Sequence, residues 1–168
     1  MASIFQEARL NQLVILHRAE ARVANYQDLY EDNRDRVYSL AFWMTYNELA
    51  AEELATATFC RAFTHTAPDS EIIDRALVAE LRETAPLGSL SLNCRPAAQV
   101  LNVRRTMKRP ELERAVVSLP ATERMIFLLH DVESYDHARI ARTLGIAETE
   151  SRQGLVQARL RMRELLAT

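Results

Sequence analysis

The stretch IARTLGI, residues 140–146, decides how the C-terminal third of the chain folds. Ala141 is small enough for a second helix to cross closely over the first, and Gly145 tolerates the positive φ of a tight turn. The apolar side chains that would lock the two helices around a shared core are Ile140, Leu144 and Ile146. The pattern predicts a helix-turn-helix unit.

Two more helices are predicted before this unit, which makes four in the C-terminal segment. Glu111–Ser118 is short and stops before Pro120, whereas Ala121–Val132 is nearly all apolar in its middle, as expected of a buried helix. Asp136 opens the helix that ends at Leu144, and the long basic helix Glu148–Leu166 follows the turn.

The long last helix is the one expected to enter a DNA groove, because the second helix of such a unit presents polar and cationic side chains to the major groove. The outward residues, predicted to bind DNA, are Thr149, Arg152, Gln153, Val156 and Arg159. The inward residues are predicted to be Leu155, Ala158, Met162 and Leu165. An ordinary helical hairpin with a solvated arginine face is the alternative interpretation.

Helical spacing of apolar residues also runs through the front of the chain. It predicts helices over residues 3–27, 27–44, 47–63 and 71–84. The residues expected to cap the last two are Asn47 and Ser70.

Breakers are few, with three glycines and five prolines in 168 residues, so the predicted fold class is all-α. Residues 85–109 hold three of those eight breakers and form the predicted linker, because they are the least helical part of the chain. Two small helical domains are therefore expected, one over residues 1–84 and a four-helix, helix-turn-helix domain over residues 110–168.

Charge is distributed unequally between the two ends. Residues 1–103 carry 9 Lys and Arg against 14 Asp and Glu, whereas residues 104–168 carry 12 against 9. A basic C-terminal module for a polyanion and an acidic front module for another partner fit this asymmetry.

Other kinds of site find little support. Cys60 and Cys94 lie outside any zinc-type spacing, and Cys60 is predicted to be a small buried side chain. His130 and His137 have no third or fourth metal ligand nearby, so a structural or surface role is expected. We predict no metal, no cofactor and no catalysis. The cysteine usage and the short apolar runs predict a cytoplasmic protein without a membrane span.

A longer pattern strengthens the C-terminal interpretation. LERAVVSLPATERMIFLL, residues 112–129, precedes the turn, and Ala158-Arg159 follows it. Together they resemble region four of bacterial sigma factors, especially the extracytoplasmic-function group, over about residues 112–166. The resemblance implies a transcription factor whose C-terminal helices bind the −35 promoter element and the flap of RNA polymerase.

The front half carries a second resemblance. AEELATATFCRAF, residues 51–63, together with residues 29–41, looks like region two of the same family. That family helix docks on the clamp helices of the polymerase β′ subunit, and an amphipathic helix with an acidic rim suits docking into a groove. The residues implied to bind core polymerase are Glu52, Glu53, Thr56 and Arg61. Core RNA polymerase and promoter DNA are the implied partners, and an anti-sigma factor is a further one.

Some positions differ from the family pattern. Thr56-Ala57 stands where Gln-Glu is usual, and Glu53 stands in place of Asp. Residues 70–84 lack aromatic side chains, although capture of single-stranded DNA uses aromatic stacking and positive charge. Two alternatives to a sigma factor that initiates transcription therefore stay open. One is a sigma-like protein-interaction module, and the other is a helix-turn-helix regulator that acts without polymerase.

The predicted reading helix departs from the family as well. Glu150-Ser151 stands where Thr-Val is common, and Gly154 stands in place of Arg. Glu150 near the helix N-terminus favours the helix dipole but would repel a nearby phosphate. Gly154 would permit close approach, either to a neighbouring helix or to the DNA backbone.

Overall fold

The described residues, 2–66, 68–84 and 108–167 of this computed structural model, are helical nearly throughout, with side chains described from Val23 onward. The helices are α1 Ala2–Thr45, α2 Glu48–Ala62, α3 Ser70–Thr84, α4 Arg109–Val117, α5 Ala121–Phe127, α6 His137–Leu144 and α7 Glu148–Ala167. A π-helical turn, Leu128–Val132, continues α5. The predicted all-α class, with a helix-turn-helix domain behind a helical front, is confirmed.

The predicted linker, 85–109, lies outside the described residues as far as Met107, and the domain boundaries stay predictions. None of the helices in the described part of the chain combines the length and the apolar character that a membrane span requires.

The front of the chain is one helix rather than two. α1 is continuous over 44 residues, about 66 Å at 1.5 Å per residue, so the prediction of separate helices over 3–27 and 27–44 is wrong. No glycine or proline interrupts residues 2–45, and nothing in that stretch would end a helix.

The two predicted caps have different outcomes. Asn47 caps α2, and its side-chain oxygen accepts a hydrogen bond from the Ala50 N–H at 3.0 Å. Ser70 does not cap α3, because Asp69 accepts from the Ile72 N–H at 2.8 Å and Ser70 is already helical. Asp and Ser are both good capping residues, and the residue that lies one position before the first helical residue takes the role.

The front helices and the C-terminal helices share one hydrophobic core. Leu40 of α1, Leu54 of α2 and Leu77 of α3 belong to the same buried cluster as Met125 of α5 and Ile140 of α6. A smaller cluster between α1, α2 and α3 contains Val37, Phe59 and Ile73. Since the larger cluster draws on all seven helices and the π-helical turn, burial of apolar surface holds the front and C-terminal helices together.

A buried carboxylate ties the helix-turn-helix to the front helices. Asp74 of α3 is 2% exposed and contacts the guanidinium groups of Arg36 on α1, at 2.5 Å, and Arg139 on α6, at 2.8 Å. The Tyr135 hydroxyl donates to the same carboxylate at 3.0 Å, and the Arg139 guanidinium lies 3.7 Å from the centre of the Tyr135 ring. Burial, followed by the charge of Asp74, raises the pKa of Tyr135 to about 12.

The partly buried side chain of Arg124 joins α5 to the end of α1. Arg124 donates to the main-chain oxygens of Met44 at 3.0 Å and Trp43 at 3.3 Å, and to that of Leu119 at 2.9 Å. It also donates to the Val117 carbonyl. Burial lowers the pKa of this guanidinium. The four carbonyls come from the ends of α1 and α4, so one side chain fixes three helices.

Two predictions of burial are wrong. Cys60 is exposed, because it lies on the side of α2 turned away from Phe59 and Ala62, which are buried. Leu165 is 44% exposed, since it lies near the end of α7, beyond the part of the helix that the core covers. Phe42 and Trp43 are partly buried against the larger cluster.

Glu123 is a buried acid whose charge costs stability. It is 1% exposed and lies 2.8 Å from the Nε of Arg161. Burial raises the pKa of its carboxyl, although Arg161 opposes the shift. A carboxyl whose pKa is raised by folding binds protons more readily in the native state, so its contribution to stability falls as the pH rises through the carboxyl range.

The variant Glu123→Gln should therefore gain stability relative to the wild type as the pH rises from about 4 to about 7, because the amide is never charged. Urea unfolding at both pH values measures this difference. Glu164→Gln, at an exposed position of α7, is the matched control and should show no such trend. If the free energies of unfolding of Glu123→Gln and the wild type differ by the same amount at both pH values, the raised pKa of Glu123 is contradicted.

Candidate nucleic-acid interface

The helix-turn-helix unit has the predicted local geometry. Asp136 caps α6, and its carboxylate accepts a hydrogen bond from the Arg139 N–H at 2.7 Å. Gly145 ends α6 in the left-handed conformation, with φ 63°, and the Ile146 N–H returns to the Ala141 carbonyl at 3.1 Å. The chain can then turn directly into α7, since glycine adopts this conformation without steric penalty.

The start of α7 is stabilised by two residues that depart from the family pattern. Glu150 accepts a hydrogen bond from the Ala147 N–H at 2.7 Å, so its carboxylate serves as part of a helix cap. Ser151 is 0% exposed, and its hydroxyl lies 3.0 Å from Nδ1 of His137. Gly154 is buried as well, so it faces a neighbouring helix rather than solvent.

The outward face of α7 is formed by the predicted DNA-binding residues. All five are exposed: Thr149, Arg152, Gln153, Val156 and Arg159. The predicted inward residues Leu155, Ala158 and Met162 are buried in the larger core cluster. α7 therefore offers one open face that is polar and cationic, with a single apolar side chain, Val156, at 55% exposure.

The two arginines of this face differ in how they are held. Arg152 contacts Glu148 one turn earlier on the same helix, and both side chains are about half exposed. Such a pair within a helix is weak and easily exchanged. Arg159 makes two contacts with Asp131 of the π-helical turn, Nη2 to Oδ1 at 2.5 Å and Nε to Oδ2 at 3.1 Å.

The histidines lie beside this face and contact each other. The rings of His130 and His137 stack with centroids 4.8 Å apart, and Nδ1 of His130 lies 2.9 Å from Oδ1 of Asp131. Both residues are helical: His130 belongs to the π-helical turn and His137 begins α6. Burial lowers the pKa of His137, helped by the charges of His130 and Arg152.

Within the described ranges, no group of three or more His, Cys, Asp or Glu side chains is placed to hold a metal ion. The two histidines contact each other, and they also contact Asp131 and Ser151.

Comparison with known proteins identifies the segment that contains this geometry. Residues 109–162 match the family model for sigma-70, region 4. This C-terminal segment is a sigma-70 region 4 domain. The match spans about a third of the chain and starts after the front helices. Among curated proteins, none matches the chain.

The region 4 domain contacts α3 through α6, the first helix of the helix-turn-helix. Besides the Arg139–Asp74 pair, Arg142 of α6 lies 3.2 Å from the Glu71 carboxylate, and Arg82 of α3 donates to the Leu144 carbonyl at 2.5 Å. These contacts occupy α6, whereas the outward face of α7 stays open. The region 4 domain can therefore be packed on the front helices and still present α7.

The residues predicted to bind polymerase lie mostly on the surface of α2. Glu52, Glu53 and Thr56 are exposed on one stretch of that helix. Arg61 is held by α3 instead, with Nε at 2.5 Å from Glu80 and Nη2 at 2.5 Å from Glu83. Hydrogen bonds from these two carboxylates raise the pKa of Arg61. Its guanidinium thus joins α2 to α3.

A groove of about 670 Å³ runs between α1 and α2 beside these acids. The side chains that line it include Tyr30, Tyr38, Glu52, Phe59, Cys60 and Phe63. Tyr30 and Tyr38 are 41% and 36% exposed. This front face therefore combines aromatic rings with an acidic edge, which is the chemistry of a protein-docking surface.

Sequence reasoning missed Asp131 as a partner of the reading helix. No spacing rule links Asp131 to Arg159, which lies 28 residues later in the chain. The π-helical turn brings Asp131 close to Arg159, and helical spacing of apolar residues does not predict such a turn. The contact between His137 and Ser151 was missed for the same reason. The departure at Ser151 from an apolar residue was the one visible sign that this position has a polar neighbour.

Proposed function

We propose that the protein is a sigma factor of the extracytoplasmic-function type, which directs RNA polymerase to promoters. The observation that carries the proposal is the region 4 domain with the open, arginine-bearing face of α7. In this proposal α7 enters the major groove upstream of the promoter, and the front helices bind core polymerase.

DNA binding by α7 rests on charge and shape. Arg152 is 62% exposed, and only an exposed pair within the helix holds it, so it can exchange Glu148 for a phosphate oxygen. Arg159 and Gln153 lie on the same exposed face and can reach base edges or phosphates. Glu150 is already engaged with the Ala147 N–H, which reduces its repulsion of DNA.

Replacing Arg152 with alanine should weaken binding of duplex DNA and reduce the slope of log affinity against log salt by roughly one, because one phosphate contact is lost. Fluorescence anisotropy with labelled promoter DNA over a series of salt concentrations measures both quantities. Arg34→Ala is the matched control, since Arg34 is an exposed arginine on α1. If Arg152→Ala and Arg159→Ala both leave affinity and salt slope unchanged, the docking of α7 on DNA is wrong.

Binding of core polymerase is proposed for the face formed by α1 and α2. Glu52, Glu53 and Thr56 border the aromatic groove there, and they are the exposed members of the implied polymerase-binding set. Arg61 supports this face indirectly by holding α2 on α3. A cytoplasmic location and an anti-sigma partner belong to the same proposal.

A pull-down with core RNA polymerase followed by run-off transcription tests the function. Stable association together with transcripts from the chosen promoter is the expected result. Association without transcripts would favour a sigma-like interaction module, and DNA binding without association would favour a regulator that acts alone.

The interaction module is the second candidate, and the packing of α3 favours it. Helix α3 would have to face single-stranded DNA during promoter opening, but it carries no aromatic side chain, and three of its charged side chains are engaged by α6. Glu71, Asp74 and Arg82 all contact α6.

A further inference from the structure

The pair formed by Arg159 and Asp131 has a geometry that suits base recognition. Asp131 takes one edge of the guanidinium, with Oδ2 at 3.1 Å from Nε and Oδ1 at 2.5 Å from Nη2. A guanidinium has five N–H donors in a rigid plane, so the edge that carries Nη1 and the second Nη2 hydrogen points away from Asp131. The Arg159 side chain is 49% exposed, and this edge can therefore reach a ligand on the surface of α7.

Asp131 is itself held in place from the protein side. The π-helical turn Leu128–Val132 carries it, and turns of this kind are frequent at functional sites. His130 contacts its Oδ1 at 2.9 Å, the His130 ring stacks on His137, and His137 contacts the fully buried Ser151 of α7. Burial alone would raise the pKa of Asp131, but hydrogen bonds from Arg159 and His130 lower it, so the carboxylate stays charged.

The charges of the pair distinguish a base from a phosphate as its ligand. A carboxylate in two-point contact neutralises Arg159 and would repel a phosphate, whereas a base edge is uncharged and is recognised by hydrogen bonds. Val156, one turn earlier, is an exposed apolar residue and suits contact with bases better than contact with phosphates. Guanine offers two acceptors, O6 and N7, that match the outer edge of an arginine.

We propose that Asp131 is a positioning residue that presents Arg159 to a guanine in the major groove. The inference rests on the proposed DNA binding by α7. It adds that the recognised base is a guanine and that Asp131, which lies outside α7, determines this base preference. Arg152 is held differently from Arg159. Its contact with Glu148 is exposed and lies within its own helix.

The test is selection of binding sites from a library of randomised duplex DNA by the full chain. The wild type should select a site with one guanine that the variant Arg159→Ala no longer requires. Asp131→Ala should lower the preference for that guanine by about tenfold, the scale of one bidentate base contact. Its affinity for unrelated duplex DNA should stay equal or rise, because a negative charge near the phosphates is removed.

Two further measurements separate positioning from folding. Asp131→Asn keeps the shape of the side chain but loses its charge, so it should fold normally and lose part of the preference. Replacing the selected guanine with 7-deazaguanine removes one acceptor and should weaken the wild type but not Arg159→Ala. Glu148→Ala removes a carboxylate from the same face and frees an arginine, and as the matched control it should keep the guanine preference.

Each failure has its own meaning. If the wild type selects no duplex, the proposed DNA binding fails. If Asp131→Ala and Asp131→Asn select the same site with the same guanine preference, DNA binding stands and the role of Asp131 is overturned. A variant Arg159→Ala that keeps the base preference and loses about one unit of salt slope would place Arg159 on a phosphate and also overturn the inference.

Discussion

Replacing Asp74 with alanine should lower the free energy of unfolding by about 3–5 kcal/mol, because two partly buried arginines would lose the buried carboxylate that both of them bind. Arg36 and Arg139 both bind this carboxylate, from α1 and α6 respectively, and Asp74 is 2% exposed. Chemical denaturation followed by circular dichroism measures the loss. The whole chain should lose stability, since α1 and α3 belong to its front part and α6 to its C-terminal part.

The titration of Tyr135 gives a second readout of the same cluster. The charge of Asp74 is one of the causes that hold the pKa of Tyr135 at about 12, whereas Arg36 and Arg139 act to lower it. In Asp74→Asn, which keeps the side-chain shape, the pKa of Tyr135 should therefore fall, as followed by phenolate absorbance. A fall that is seen with an unchanged circular dichroism spectrum would show that the negative charge of residue 74 is its cause.

Asp35→Ala is the matched control for Asp74. Its side chain is 95% exposed and lies 3.5 Å from Arg34, so its loss should change stability little. If Asp74→Ala were as stable as Asp35→Ala, the cluster would not hold the two ends of the chain together.

Replacing Leu77 with alanine should cost about 2–5 kcal/mol, the range for truncating a buried leucine. Leu77 is on α3 and 1% exposed, and its cluster contains Met125, Ile140 and Leu155 of the region 4 domain. A loss in the front half should therefore also destabilise the helix-turn-helix. Hydrogen exchange at the amides of α6 and α7 should speed up together with that of α3.

The shared core predicts a single unfolding transition for the wild type and for this variant. Leu49→Ala, at a position on α2 that is 66% exposed, is the control and should leave exchange in α6 and α7 unchanged. Two separate transitions, with Leu77→Ala moving only the first, would show that the two halves unfold independently.

Local features were readable from residue types. Gly145 marked the turn because only a residue tolerant of positive φ fits there, and Asp136 and Asn47 marked helix starts because their side chains can cap. The outward face of α7 followed from helical spacing, which sets the directions of side chains up to the point where the core ends. Leu165 lies beyond the end of the core, and helical spacing alone does not show where the core ends.

Features that depend on which helices meet could not be predicted in this way. Cys60 lies in the same apolar run as its buried neighbours, but it is exposed because it lines the open groove between α1 and α2. The ion pairs of Arg61 with Glu80 and Glu83 on the next helix were not predicted either. In both cases the surroundings of the side chain depend on another helix rather than on residues close in sequence.

The helix-turn-helix at residues 140–146 was thus determined by the sequence itself, because turn geometry, capping and the apolar stripe are local properties of the chain. What the tertiary structure alone decided is how that unit is supported. Asp74 and Asp131 reach Arg139 and Arg159 from other helical segments, 65 and 28 residues away in sequence. Pairing of charges over such distances depends on packing, since only the folded core brings the segments together.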